Sequence, residues 1–492
     1  MDKHNRKLFA GYLKKNRIRL AIAVFCAIIG TLSEVAAPYL TGRAIDNIIG
    51  VGNVDFAAVT EILALLMILY LLSGAMSYIV AVVAYKSAHG VAFYMRRDAF
   101  EKLQRMSIEA LSKISYGDIT SRFVNDATLV ADGILETVMQ LITGVITIVG
   151  TLSIMLSLNL IVTAAVFSIT LITFAVGFVI TKLCNKYFKQ NGEKMGQLSA
   201  VVEEYTEIIH TVKAYSYEEK ALEKFQKCNN ELKTAGQKAV FYSSLANPST
   251  RFVNYLAYIS VGVIGGIFAH LSPGAISSFI LYSNQFAKPF NQITAVITQL
   301  LSAWASANRI MNFLQSDEQN DSKDAINIES TMGEIEFKNV CFSYRNDKPL
   351  IENFSLKVSH GQKVAIVGPT GSGKTTLVNL IMRFYDPQSG EILLDNINIK
   401  DISLSGLRKN IAMVLQETWL KNSTVKENIA YGRQQATDEE IVMAAKKSHA
   451  DSFIKRLPNG YDTVIKNSSS ISQGQKQLLT IARAMLSKSP IL

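Results

Sequence analysis

The first three fifths of the chain alternate long apolar runs with basic connections. The apolar runs extend from Arg19 to Thr41, Ala57 to Tyr85, Leu129 to Leu156, Leu158 to Leu183, Pro248 to His270 and Pro273 to Trp304. Each is about twenty residues or more, enough to cross a hydrocarbon layer of roughly 30 Å as a helix. Soluble core helices keep a polar face, so buried soluble helices do not explain this many such runs. The pattern predicts a helical membrane domain of six spans over residues 1–313. The chain then turns polar and acidic, as in Gln315-Ser316-Asp317-Glu318-Gln319-Asn320-Asp321, which reads as a linker over 314–332. Beyond it, short apolar runs at Ile335–Val340, Leu356–Val358, Val364–Val367, Ile392–Leu394 and Ile411–Leu415 alternate with turns and helical stretches. These predict an α/β domain over 333–492.

Charge orients this arrangement. Lys3, Arg6, Lys7, Lys14, Lys15, Arg17 and Arg19 crowd the N-terminal segment, and the long connections after spans two and four are equally basic, whereas Arg43 stands alone among the three short connections. By the positive-inside rule both termini, both long connections and the α/β domain face the cytoplasm of a multi-pass plasma-membrane protein. The net charge of +10 therefore reflects membrane topology, and no nucleic-acid partner is expected. The first apolar run lacks a small-residue cleavage pattern, which argues against a signal peptide. Cys26, Cys184, Cys228 and Cys341 show no pairing or metal-ligand spacing.

The chemistry concentrates in Gly368-Pro369-Thr370-Gly371-Ser372-Gly373-Lys374-Thr375, which lies between the strand-like Val364–Val367 and a helical run starting at Thr375-Thr376. A glycine-rich strand-to-helix turn lets consecutive N–H groups point at phosphates, with the helix N-terminus adding positive potential. Lys374 is placed to reach the β- and γ-phosphates of a nucleoside triphosphate, and the Thr375 hydroxyl to ligate Mg²⁺.

Further motifs follow in a fixed order. Val340-Cys341-Phe342-Ser343-Tyr344 precedes the P-loop; Arg383-Phe384-Tyr385-Asp386-Pro387, Val414-Leu415-Gln416-Glu417-Thr418 and Ile471-Ser472-Gln473-Gly474-Gln475 come after it. Together they resemble the ATP-binding cassette family, specifically a half-transporter of its exporter class with fused membrane and nucleotide domains. The resemblance implies that Tyr344 stacks on adenine, that Gln416 completes an Mg²⁺ shell, and that Ser472, Gly474 and Gln475 form the cassette signature reaching ATP held by a partner's P-loop. It further implies ATP and Mg²⁺ as cofactors, a second half-transporter as homo- or heterodimer partner, and export of an unidentified substrate through the bilayer driven by ATP hydrolysis. A lipid flippase, a peptide exporter and an inactive truncated product are the alternatives.

The chain departs from the family pattern in three places. Gln473 replaces the signature's usual glycine, and Lys466-Asn467-Ser468-Ser469-Ser470 stands where an acidic residue and glycine are common. The family's Mg²⁺ aspartate, catalytic glutamate and switch histidine are expected after Leu492. Gly117–Asp126 and Val212–Glu219 resemble the two cytoplasmic coupling segments. Glu34 in span one and Lys288 in span six are ionisable residues within apolar runs, candidates for lining a substrate cavity, and Pro38 and Pro289 could kink the same spans.

Overall fold

The computed structural model describes residues 3–48, 54–322, 324–345, 347–416, 418–466 and 471–492. In chain order the helices are α1 (Lys3–Lys15), α2 (Arg17–Asp46), α3 (Phe56–Arg105), α4 (Ile108–Ser112), α5 (Tyr116–Ser121), α6 (Ala127–Glu136), α7 (Thr143–Leu158), α8 (Leu160–Glu207), α9 (Ile209–Ala214), α10 (Glu218–Ser244), α11 (Ala246–Val263) and α12 (Pro273–Leu314). Six more follow: α13 (Lys374–Ile381), α14 (Leu404–Lys409), α15 (Val425–Ala430), α16 (Asp438–Lys447), α17 (Asp451–Ile454) and α18 (Gln473–Leu486). Met1–Glu101 with Tyr116–Gln315 forms one compact unit, and Lys102–Ser115 with Ser316–Leu492 a second.

Among the described residues five helical runs are long and apolar enough to cross a membrane: Arg17–Asp46, Phe56–Arg105, Tyr116–Leu158, Leu160–Glu207 and Glu218–Phe268. The run expected as the sixth span lies within α12, a 42-residue helix. Several runs far exceed a bilayer: α3 has 50 residues and α8 has 48, or about 70 Å each at 1.5 Å per residue. The long basic connections are thus largely continuations of the spanning helices. Gly117–Asp126, expected as a coupling segment, lies at the start of the continuous Tyr116–Leu158 run, and the short α4 precedes it. In the second connection α9 is separate, followed by Ser216 at φ 49°.

Local chemistry sets these boundaries. Asn159 breaks the chain between α7 and α8, its Oδ1 accepting from the Ile161 and Val162 N–H groups at 3.0 and 3.1 Å. Ser272 caps α12 by accepting from Ala275 N, with Pro273 in the first turn. Three π-helical turns interrupt the regular helices, at Arg122–Asp126, Thr137–Ile142 and Ile264–Phe268.

α2 and α12 are joined along much of their length. Tyr282 Oη donates to Val35 O at 2.9 Å and Ser278 Oγ to Pro38 O at 2.9 Å. Asp46 accepts from Ser272 Oγ and Gly274 N, both at 2.8 Å. Gly42 and Gly274 bring the two backbones so close that a methyl group on either would collide with the other's main chain. Elsewhere Asp126, 4% exposed, pairs with Arg309, which also donates to Ser306 Oγ at 2.9 Å.

The second unit is built on a four-stranded antiparallel sheet, order β2-β1-β3-β4, with β1 at Ile335–Phe342, β2 at Ile351–Val358, β3 at Ser389–Leu394 and β4 at Ile397–Asn398. Ile335 pairs with Val358 on one side and Leu394 on the other. One face of this sheet packs Phe337, Val340, Phe342 and Ile392 against Leu380 of α13. A separate helical core gathers Val425, Ile429, Ile441, Phe453 and Leu479.

Two expected strands are not formed as expected. Val364–Val367 is not a strand but an unpaired stretch with Val367 89% exposed, and Ile411–Leu415 is reduced to a single parallel bridge, Ile411 to Ile491. Val364–Val367 finds no strand to bond to among the described residues, so its apolar side chains stay uncovered. The polar segment after Leu314 is bonded rather than free: Gln319 N donates to Arg105 O, Gln319 Nε2 to Arg383 O, and Leu404 N to Asp321 Oδ1.

Candidate nucleotide site and transmembrane cavity

The P-loop turn is held by glycine geometry. Gly371 and Gly373 sit at φ 86° and 87°, values an L side chain rarely adopts. Gly373 is the residue immediately before α13, and Leu377 N donates to its carbonyl at 3.1 Å, starting the helix. A methyl group on Gly368 would stand 2.7 Å from Ser372 Oγ, so that hydroxyl would have to turn away. Ser372 N donates to Pro369 O at 3.2 Å, closing the bend that contains Thr370. Lys374 folds its ammonium back onto the loop and donates to Gly368 O and Pro369 O, both at 2.8 Å. Thr375 is exposed on the first turn of α13, whereas Thr376 is buried beside it. This is a donor set suited to a triphosphate: a cationic side chain, an exposed hydroxyl and helix-terminal N–H groups.

Tyr344 stands beside that helix. Its ring meets Tyr385 and Phe342 edge-on, each with centroids 5.0 Å apart, and its hydroxyl accepts from Asn379 Nδ2 of α13 at 3.3 Å. It remains 49% exposed, so part of the ring is open to a flat partner.

The second anion-binding candidate is the N-terminus of α18. Ser472 and Gln475 form a capping box: Ser472 Oγ accepts from Gln475 N at 3.3 Å, and Gln475 Oε1 accepts from Ser472 N at 2.8 Å. Gly474 has nothing within 4 Å of where a side chain would begin, so its surface is open. Gln473 Nε2 donates to Thr418 Oγ1 at 3.2 Å, tying the signature to the loop that carries the exposed Gln416. Glu417 and residues 467–470 of the loop before the signature lie outside the described residues.

The family model for the ABC transporter transmembrane region matches residues 20–312, and the family model described as ABC transporter matches residues 351–492. The chain belongs to the ABC transporter family. It is 36% identical over 486 residues to an uncharacterized ABC transporter ATP-binding protein of Bacillus subtilis, covering 98% of this chain and 80% of the relative. A fatty acid ABC transporter ATP-binding/permease protein of Mycobacterium tuberculosis is 37% identical over 91% of this chain and 71% of its own. An ATP-dependent lipid A-core flippase of Haemophilus influenzae is 31% identical, covering 98% and 82%. As an ABC transporter of this exporter type, the chain is one subunit of an ATP-driven exporter that binds ATP and couples its hydrolysis to transport.

Two groups brace α18 and the residues that follow it. Arg483 of α18 donates to Asn428 O at 3.0 Å and lies over the Tyr431 ring, and burial pulls its pKa below the usual guanidinium range. Glu440 is held down to about 2, first by its bond from Arg433, then by Lys488 and the Thr437 N–H.

The membrane unit contains a cavity of about 370 Å³ between α2, α3, the turn from Thr137 to Ile142, α7 and α12. Glu34 and Lys288 both line it, and among the described residues neither has an ion-pair or hydrogen-bond partner. Gln140 and Gln285, not singled out in the sequence, join them, and the buried Gln285 Oε1 has no donor. The available signal was a polar amide inside an apolar run. The prolines act here too: Pro38 and Pro289 lie within α2 and α12. Each removes the N–H that would have bonded the carbonyl four residues earlier, those of Glu34 and Gln285.

Proposed function

We propose that this subunit pairs with a second half-transporter, identical or not, so that the P-loop of one chain and the signature of the other enclose ATP. The nucleotide domain then faces the cytoplasm of a plasma-membrane exporter, a reading supported by the lysine and arginine pattern. The observation that carries the site assignment is the P-loop itself: Lys374 held at Gly368 and Pro369 by 2.8 Å bonds, beside the left-handed glycines 371 and 373. Lys374 releases those carbonyls to pair with the β- and γ-phosphates, and the N–H groups of Gly371 to Thr376 orient the rest of the triphosphate. Thr375 and Gln416 are the hard oxygen donors for Mg²⁺, which supplies charge neutralisation at the phosphates when bound. Tyr344 offers its open ring to adenine. Ser472, Gly474 and Gln475 receive the γ-phosphate of the ATP bound to the partner.

An amphiphilic substrate fits best, because the relatives named as fatty acid transporter and lipid A-core flippase move such molecules and the cavity carries charge inside an apolar bundle. The test is Lys374→Ala in the purified chain, read by fluorescent ATP-analogue binding. Nucleotide affinity should fall at least ten-fold, because one charge-assisted phosphate contact is removed. Unchanged affinity would refute the P-loop assignment.

A further inference from the structure

We infer that the transmembrane cavity is a headgroup site for a zwitterionic amphiphile, a substrate class that rests on the exporter reading and narrows it. Glu34 and Lys288 put one negative and one positive side chain into a single cavity, and among the described residues they are not paired with each other or with any other group. Intramembrane charges left in this state are costly, and function is the usual reason they persist. A ligand bearing one charge would satisfy one side chain and leave the other unmatched; a ligand bearing both satisfies both.

The rest of the lining fits a polar headgroup. Gln140 and Gln285 place amide side chains in its lining. Gln140 lies on the π-helical turn Thr137–Ile142, a feature that concentrates at functional sites because it re-aims side chains. The volume of about 370 Å³ falls at the low end of ligand pockets, roughly 300–1,000 Å³. It holds a headgroup and not a pair of acyl chains.

A small apolar space lies beside it. Gln140, Gly144 and Pro289 also border a smaller space of about 40 Å³, whose other walls are Leu141, Val145, Ile148 and Val296. Gly144 makes this possible, since a methyl group there would come 3.3 Å from Pro289 Cβ and narrow the passage. The polar chamber and this small apolar space share Gly144 and Pro289, and at about 40 Å³ the latter admits only the first carbons that follow the headgroup.

The experiment uses the full chain in neutral alkyl-maltoside micelles and three radiolabelled probes of equal chain length: a lysophosphatidylethanolamine, a fatty acid and an alkylammonium. The zwitterion should bind about ten-fold tighter than either single-charge probe, the equivalent of about 1.4 kcal/mol. Glu34→Gln should erase its advantage over the fatty acid, and Lys288→Gln its advantage over the alkylammonium. The exchange Glu34→Lys with Lys288→Glu should restore zwitterion binding. Equal binding of all three probes to the unaltered chain overturns the proposal without any variant having to fold. So does full zwitterion selectivity in both single variants. Lys374-dependent nucleotide binding, measured on the same preparations, separates the two levels: its persistence alongside lost headgroup selectivity refutes this inference alone, while its absence refutes the exporter site assignment.

Discussion

A single methyl group at Gly274 should disrupt the junction between α2 and α12. Built onto Gly274, it would lie 2.6 Å from Asp46 Oδ1 and nearer still to the Gly42 carbonyl oxygen, whereas ordinary contacts run from 3.4 to 4 Å. Both obstacles to the new methyl are hard to move: one is main chain, and the other is a carboxylate already bonded to Ser272 and Gly274. The helices must therefore part by about 1 Å, which also stretches the Ser278–Pro38 and Tyr282–Val35 bonds, each 2.9 Å. Overpacking of this kind costs about 1–3 kcal/mol, and each weakened buried hydrogen bond adds about 0.5–1.5 kcal/mol. Against that, alanine gains about 1 kcal/mol over glycine within a helix. The balance for Gly274→Ala is a loss of about 1–5 kcal/mol. Gly74→Ala is the control, because nothing stands within 4 Å of that position in α3, so only the helix-propensity gain remains. The assay is thermal unfolding of the two variants and the parent in the same micelles, followed by monodispersity on gel filtration. Gly274→Ala should unfold well below the parent and Gly74→Ala at or above it. Equal midpoints for all three would refute the close approach of α2 to α12.

Other perturbations test other parts of the fold. At the Asp126–Arg309 pair the carboxylate is 4% exposed and the guanidinium 49%, so Arg309→Ala, which strands a buried charge, should cost about 3–5 kcal/mol and clearly more than Asp126→Asn; equal midpoints in thermal unfolding would contradict this. Glu440 titrates at about 2 in the fold against an ordinary 4.5, so its contribution is complete above pH 4.5 and disappears as pH falls to about 2. The protection of α16 amides from hydrogen exchange should therefore differ between parent and Glu440→Gln at pH 6 and converge toward pH 2; a gap that does not close with acid would rule out this role. Ser472→Ala should loosen the first turn of α18 by about 1 kcal/mol, measured by hydrogen exchange, while Ser472→Asp keeps the cap; equal fraying in both would exclude the capping box.

What was legible in the sequence were features carried by local pattern. The apolar runs located the spanning helices because hydrocarbon forces every backbone group into an internal helix, leaving composition as sufficient evidence. The P-loop was legible because Gly371 and Gly373 are required by their own φ values. Pairing over distance was not legible. Val364–Val367 reads as a strand from its side chains, yet a strand needs a bonded neighbour, and none is present among the described residues. The polar stretch after Leu314 reads as a linker because hydrophilic composition does not distinguish solvation from specific bonds such as Gln319 to Arg383. Gly117–Asp126 resembles a coupling segment by its motif, but the motif did not show that it opens the continuous Tyr116–Leu158 run, where Thr120 and Arg122 bond back to Tyr116 O and Asp118.

The two anion-facing elements of the nucleotide domain differ in what binding must undo. Lys374 gives two of its three ammonium donors to Gly368 and Pro369, so a phosphate can be met by the third, but a second phosphate contact must displace a carbonyl, and part of the attraction goes into that exchange. Ser472 faces no such exchange. Its oxygen accepts from Gln475 N at 3.3 Å, but a hydroxyl carries a donor as well as acceptor sites, and the proton remains free. The cap can therefore persist while the same group donates to a phosphate oxygen. Alanine at this position removes both capacities, and aspartate keeps the first while replacing the second with a repelling charge. The capping box that would make α18 an ordinary helix start is thus compatible with ligand binding, because the fold uses the acceptor and leaves the donor.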